Sequence, residues 1–477
     1  MKRVFVIPLR RGALLTLAVA LVGCASFDQA SVVGEINREA APFTGGALQL
    51  VRTAEQHAQS EAAVARVLEH DLSPDDAIRV AMLNSPSIQA VLAQGWNDGA
   101  QAAQASRLPN PRFTFEHLTV GNELEIGRLL SFGVLDLLLY PQRYGVALSR
   151  MEEVRQKIAA DVVDQASAVR RAWVDAVAAR QVEELARRVV DSAAASAELA
   201  RRMQAAGNFT RLQRMAHQSY YAEATARLAT AQHERIAARE ALVRLLGLNP
   251  LQAMSLRLPE RLPDLPTAPI APELVTQKAL NERIDVRLAQ ADLQASARTE
   301  GVALATSVTD IELGLRRDTV FDDQAATQAR HQGYEIDVTL PLFDLGDQKR
   351  AAAGARTLAA QARLLAATRT ANTSLRTAYS AYRTALDVAR QYNDEILPLR
   401  RAMSDEQQLR YNGMLIGVFD LLADAREQAQ VATAAISAQR VFWLSEADLQ
   451  ANIVGRPVGG ALPNGAVAEA RSDGPVH

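Results

Sequence analysis

The sequence predicts a mainly α fold: duplicated long helical hairpins with a small transmembrane β part of four strands per chain. Three observations predict it. Long stretches dominated by Ala, Arg, Glu, Gln and Leu carry apolar residues at helical spacing. A weak internal repeat, offset by about 200 residues, gives both halves the same order of elements. Four short segments alternate apolar and polar residues over the length that a tilted membrane-spanning strand requires.

The chain opens with an address. Lys2, Arg3, Arg10 and Arg11 flank a short apolar run, Gly12 to Val22. About 11 apolar residues are too few for a spanning helix, which needs about 20, so residues 1–23 read as a cleaved signal peptide. The segment ends Leu21-Val22-Gly23-Cys24, and Cys24 is the only cysteine of the chain. This stretch resembles the lipobox of bacterial lipoproteins, which implies lipidation, including palmitate, at Cys24. Ala25, where an Asp favours retention in the inner membrane, points to the outer one. Each buried acyl methylene contributes about 0.8 kcal/mol, so a multiply acylated cysteine is a firm anchor. Residues 24–71 are expected to be an N-terminal anchor and linker.

The first repeat is expected over 72–247 and the second over 273–455. Leu83-Asn84-Ser85-Pro86 matches Leu280-Asn281-Glu282-Arg283, early in medium helices at about 74–107 and 273–303. Strands follow, within 111–139 and 306–343. Tyr334, Ile336, Val338, Leu340 and Leu342 alternate with polar partners, as do Ile311, Leu313 and Leu315. Phe113 and Phe115 alternate, and the phase then slips near Glu116-His117, as at a bulge. One face is apolar and the other polar, with acids at Glu116, Glu125, Glu312, Glu335 and Asp337.

Long helices are predicted at about 143–205 and 346–411, roughly 95–100 Å each. Met151, Val154, Ile158, Val162, Ala166, Val169, Trp173 and Val177 recur at helical spacing. Val182, Leu185, Val189, Ser192, Ser196, Leu199 and Met203 step by three and four, a heptad that drives coiled-coil supercoiling. Ala389, Tyr392, Ile396, Leu399 and Met403 do the same, and Pro398 is placed to bend the second helix. Gly207 and Gly413 mark the reversals into return helices at about 210–246 and 418–453. In each copy the two shorter helices together match the long one, so they can pair with it end to end. A Pro-rich crossover, 248–272, joins the copies, and 456–477 reads as a disordered tail.

Composition narrows function. The chain has 52 basic and 54 acidic residues; removing the signal leaves 48 against 54, with no basic excess for a nucleic-acid partner. One cysteine excludes disulfide frameworks and multi-cysteine zinc sites. GxxxxGK[ST], HExxH and GxSxG are all absent from the sequence, so no enzyme, cofactor or metal site is expected. Four strands cannot close a barrel, and lipid does not tolerate an open sheet edge. If the strands span an outer membrane, three chains would supply 12 strands, within the known range. The expectation is a trimeric 12-stranded β-barrel continued as an α-helical periplasmic tube.

Several local stretches carry a resemblance. Leu340-Pro341-Leu342-Phe343-Asp344-Leu345-Gly346, followed by the small and basic run Arg350 to Arg356, resembles a strand-to-helix corner of the TolC-like outer-membrane efflux proteins. Gly417-Val418-Phe419-Asp420-Leu421-Leu422-Ala423-Asp424-Ala425-Arg426 resembles their second hairpin tip, with Arg426 in place of the family's Gln and a spacing about one residue shorter. With Cys24 and the duplicated element order, the resemblance covers about 72–455. It implies a homotrimer in outer-membrane lipid that exports small molecules or ions with a periplasmic adaptor (membrane fusion) protein and an inner-membrane pump. It implies acids ringing a closed periplasmic aperture, with Asp420 and Asp424 as candidates, and an adaptor docking near Gly207, Asn208, Phe209, Gly413 and Gly417. Met203, Met215, His217, Met403 and Met414 fall toward the tips, where soft-metal contact and plain coiled-coil filling both fit. A lipid-anchored periplasmic coiled-coil adaptor or scaffold without a pore is the alternative.

Overall fold

The computed structural model describes residues 27–121, 123–273, 275, 283–306, 310–322 and 327–457. The signal segment, Cys24, Asn281 and the tail from 458 onward lie outside the described residues. Helices α1 (Gln29–Glu39), α2 (Ala41–Thr44), α3 (Ala54–Val67), α4 (Pro74–Asn84) and α5 (Pro86–Gln104) lead into strands β1 (Arg112–Val120) and β2 (Glu123–Gly133). Short α6 (Val134–Leu138) precedes the 66-residue α7 (Tyr140–Ala205), then α8 (Arg211–Leu246) and α9 (Pro250–Ser255). The second copy runs α10 (Ile284–Thr306), β3 (Ile311–Asp322), β4 (Thr327–Val338), α11 (Asp347–Arg390), a π-helical turn (Gln391–Ile396), α12 (Leu397–Asn412) and α13 (Val418–Ile453). The fold is mainly helical with one four-stranded antiparallel sheet.

Four expectations are corrected. The helix expected over 74–107 is two helices: Ser85, the residue before Pro86, is extended at φ −69° and ψ 120°, as the proline ring demands. Residues 24–71, expected to be anchor and linker, carry three helices in their described part, with Ile36 and Val64 fully buried. The bulge expected near Glu116-His117 is absent, because β1 pairs with β2 without interruption from Arg112↔Ser131 to Val120↔Glu123. The phase slip is one of side-chain type, not of backbone. The bend expected at Pro398 is a π turn, in which the Leu397 N–H reaches back to the Tyr392 carbonyl just before the proline that has no N–H to give.

The chain forms two compact units, and each draws on both repeats. The first comprises residues 1–36, 91–159 and 285–369. Its sheet has the order β1-β2-β3-β4, with β1 and β4 as edges. Two helical glycines let side chains seat on α5: a Cβ at Gly95 would lie 2.4 Å from Ile158, and one at Gly99 would lie 2.5 Å from the Phe27 ring. Arg298 of α10 donates to the Gly145 carbonyl of α7 at 2.8 Å and to Ser149 Oγ at 2.6 Å.

The second unit comprises 37–90, 160–284 and 370–477. Val162, Ala166, Val169, Trp173 and Val177 of α7 are buried, as their spacing predicts. Trp173 donates its indole N–H to the Leu72 carbonyl at 2.7 Å. Further along α7 the expected heptad is largely half-buried, and the buried positions are Glu183, Ala193, Ser196, Ala197 and Ala200. Small side chains define that seam because they permit the closest backbone approach. A second cluster gathers Leu375, Tyr382, Leu386, Phe442, Leu449 and Ile453. The Pro-rich crossover is tied down on it: Trp443 and Gln439 both donate to the Pro263 carbonyl.

The repeat signature acquires a physical cause here. Asn84 donates its side-chain amide to the last carbonyls of α8, Leu246 at 3.2 Å and Gly247 at 2.7 Å. Gly247 is left-handed, and a Cβ there would lie 2.4 Å from Pro86 Cδ and 2.8 Å from the Asn84 carbonyl. Gly247→Ala combines the left-handed penalty, about 1–2 kcal/mol, with a backbone clash. It is expected to cost about 2 kcal/mol or more, read as a lowered thermal midpoint of the detergent-solubilised protein; an unchanged midpoint would refute this account of the joint.

Candidate functional site

The sheet register sorts side chains by face. Row by row, Glu116 lies beside Gly127, Asp318 and His331. All five acids singled out from the sequence, Glu116, Glu125, Glu312, Glu335 and Asp337, share this face with Glu123 and Asp318. Contacts agree with the register: Arg316 donates to Asp318 at 2.8 Å and to Glu116 at 3.1 Å. Gly127 leaves room for that cluster, since a Cβ there would stand 3.1 Å from Glu116 and 3.3 Å from Asp318. The other face carries Phe113, Phe115, Leu130, Leu315, Tyr334, Ile336 and Val338, all exposed in the single chain. One face is thus acidic, and the other is apolar and uncovered.

The hairpin tips use one backbone device twice, offset by 207 residues. In the first, Asn208 N–H reaches the Met203 carbonyl and Gly207 N–H the Gln204 carbonyl. In the second, Leu415 N–H reaches Arg410 and Met414 N–H reaches Tyr411. This is the Schellman closure, which needs a left-handed residue at its penultimate position. Gly207 supplies it at φ 82°, and Met414 supplies it at φ 57°. Gly413 is not the left-handed residue expected from the sequence; its φ is −80°. Each tip then enters its return helix through a residue that folds back three positions later. Gln213 accepts from Thr210 N–H at 2.9 Å, and Asp420 accepts from Gly417 N–H at 2.9 Å. Gly417 therefore corresponds to Thr210, a helix cap, and Asp420 to Gln213.

The two acids expected at the aperture part company. Asp420 is exposed and caps its own helix. Asp424 is 7% exposed and ion-paired to Arg400 at 3.3 Å, with Arg400 also held by Glu427 at 2.8 Å. Its charge is committed inside the hairpin. Of the expected docking residues, Gly207, Asn208, Gly413 and Gly417 are exposed. Phe209 instead packs inward, its ring 4.4 Å from Phe419 and 6.0 Å from His217. His217 lies 4.5 Å from Phe419 and shares a hydrogen bond with Ser196 at 2.9 Å. The sequence shows Ser196 only as a heptad position and Phe419 only as part of a tip; contact within the first hairpin joins Ser196 to His217, and contact across hairpins joins Phe419 to Phe209 and His217. Arg426, where the resemblance expects Gln, stacks over the Tyr220 ring at 4.5 Å and adds a second joint between return helices. Among the described residues, no group of three or more His, Cys, Asp or Glu is placed to hold a metal ion. No helix among them is long and apolar enough to cross a membrane.

Burial among the rings pushes the His217 imidazole below its ordinary value. The folded tip therefore prefers neutral histidine, and its stabilisation is complete above about 6.5 and lost as the pH falls below that value. Amide protection at the tips, taken relative to the intrinsic exchange rate at each pH, is expected to be lower at pH 5.5 than at pH 7.5 in the natural protein, and His217→Phe should flatten this difference; an unaltered pH dependence of protection would rule out the imidazole. Asp424→Ala strands a half-paired buried guanidinium and is expected to destabilise the second tip by roughly 2–3 kcal/mol, below the full cost of breaking a buried pair because Glu427 remains. Asp420→Ala should cost about 1 kcal/mol through the lost cap. Limited proteolysis at the tip checks the order of the two variants.

Comparison with solved structures finds the same architecture in outer-membrane channels. The Campylobacter jejuni CmeC outer membrane channel superposes with a TM-score of 0.67 at 15% identity, over 82% of this chain and 85% of that one. The open state of the Neisseria gonorrhoeae MtrE outer membrane channel gives 0.63 at 21%, over 81% and 88%. A membrane protein from Pseudomonas aeruginosa gives 0.65 at 21%, over 82% and 93%. No family model matches the sequence, and no curated protein does. The fold is that of the TolC-like outer-membrane channels.

Proposed function

We propose that this chain is the outer-membrane duct of a tripartite efflux system, a passive path for small molecules or ions across the periplasm and outer membrane. The observation that carries this is the sheet: four antiparallel strands with two free edges, one acidic face and one uncovered apolar face. In lipid, each unsatisfied backbone group at an edge costs several kcal/mol, and only closure removes edges. Three copies pairing β4 to the next β1 give a closed barrel of 12 strands, with the apolar face on lipid and the acids on a water-filled lumen. The likeness to structures described as outer membrane channels supports the same reading.

On this reading the chain does no chemistry. The lumenal acids favour cations over anions, and Arg316 between Glu116 and Asp318 fixes part of that field in place. Lipid on Cys24 anchors the protomer before the barrel assembles. At the tips, Asp420 offers three exposed carboxylates per trimer to an axis, while Asp424 holds its hairpin together. The periplasmic adaptor meets the exposed turn residues Gly207, Asn208, Gly413 and Gly417, and the inner-membrane pump supplies the driving force.

Reconstitution in planar bilayers tests this against the pore-free scaffold. A detergent-stable trimer is expected, with cation-preferring conductance that falls in Glu116→Gln/Asp318→Asn and changes its preference in Asp420→Asn. A monomer that releases from outer membranes and conducts nothing would overturn the duct and favour the scaffold.

A further inference from the structure

We propose that Arg128, Arg317 and Arg330 form a binding site for the phosphorylated headgroup of an outer-leaflet lipid; the proposal rests on the barrel reading above. All three lie on the apolar face of the sheet, opposite in sense to the acids. Arg128 and Arg317 are direct cross-strand partners, and Arg330 pairs with Thr319 one row nearer the turns. Arg317 and Arg330 are exposed, and Arg128 is half-buried with its guanidinium donating to Thr319 Oγ1 at 3.3 Å.

Like charges directly opposite each other on neighbouring strands destabilise a sheet. Here nothing among the described residues compensates them. Among the described residues, no acid occupies this face, and none of the three arginines has an ion pair. Barrel closure does not change that, because it keeps the same face outward in every copy, and β1 presents only Phe113, Phe115, His117 and Thr119 there. On this proposal the compensating anion comes from outside the protein.

The position of the cluster identifies the anion. From Ile311 to Arg317 is about 20 Å along the strand, and the apolar surface continues beyond the strands at Leu340, Leu342 and the fully exposed Phe343. The arginines therefore cap an apolar band of about the 25 Å that a barrel presents to lipid. They cap it on the side of the β1–β2 and β3–β4 turns, away from the helices, which faces the cell exterior. Guanidiniums there meet phosphates bidentately while acyl chains run along Tyr334, Leu315 and Leu130.

The test uses purified trimers in detergent and native mass spectrometry. The probes are lipid A with its two phosphates, the same lipid dephosphorylated, and inorganic phosphate. The natural protein is expected to bind the phosphorylated lipid, and R128Q/R317Q/R330Q to bind it on the order of a hundredfold more weakly, as three interfacial cations would give. Dephosphorylation should weaken binding to the natural protein to a similar degree, and R128K/R317K/R330K should recover much of it. Equal binding by the natural and triple-Gln proteins, indifference to dephosphorylation, or binding of inorganic phosphate without the lipid would each overturn the proposal. Conductance separates the two readings: both variants should conduct as the natural protein does. A natural protein that forms no conducting trimer would reject the duct itself, and the lipid site with it.

Discussion

An antiparallel sheet with two bare edges is the constraint on which everything else depends. β1 and β4 each expose a row of backbone donors and acceptors, and the sheet carries too few strands to curl onto itself. Water can satisfy such edges, but lipid cannot. The side chains support lipid as the solvent of the proposed reading. Seven aromatic and aliphatic residues on one face are exposed in the isolated chain, a cost without purpose in water. The acids are gathered on the opposite face, beside glycines and Ser131 that leave them space. On the proposed reading, copies of the same chain complete the sheet.

The helical unit answers a different demand. Its hairpins must turn sharply and yet be held together, and the two copies do this with one backbone motif and divergent side chains. Position 207 is glycine and position 414 is methionine, in the same left-handed turn. The second copy accepts a strained residue where the first does not. Seven residues after each helix cap, the first copy places His217 among rings and the second places Asp424 against Arg400. One hairpin is thus fastened to its neighbour by aromatic contact and the other to itself by a buried ion pair. Tyr220 under Arg426 adds a joint of a third kind.

Much of the fold was legible in the sequence. The long helix α7 and both return helices follow from apolar period, and the strands do so in part: the alternation marks Tyr334 to Val338 of β4 but not Thr327 to Gly333, and it runs on to Leu340 and Leu342 beyond the strand. Boundaries shifted where proline acted locally, at Ser85-Pro86 and before Pro398. The helices before residue 72 were read as anchor and linker, yet Ile36 and Val64 are fully buried in them. In the heptad of α7 Ser196 is buried as expected, and Ala193, Ala197 and Ala200 are buried beside the expected positions, since close packing selects small residues.

The sequence by itself determined element type, duplication and the parity of each strand, since these are properties of consecutive residues. Only the tertiary structure decided which parities share a face, because register couples residues some 200 apart, as in Arg316 with Glu116. It alone separated Asp420 from Asp424, which differ by one helical turn and look alike in the chain. One carboxylate meets a backbone N–H at the surface, and the other meets a guanidinium from a neighbouring helix. A charge is free or spent according to what faces it across space, and that is not written in its own neighbourhood.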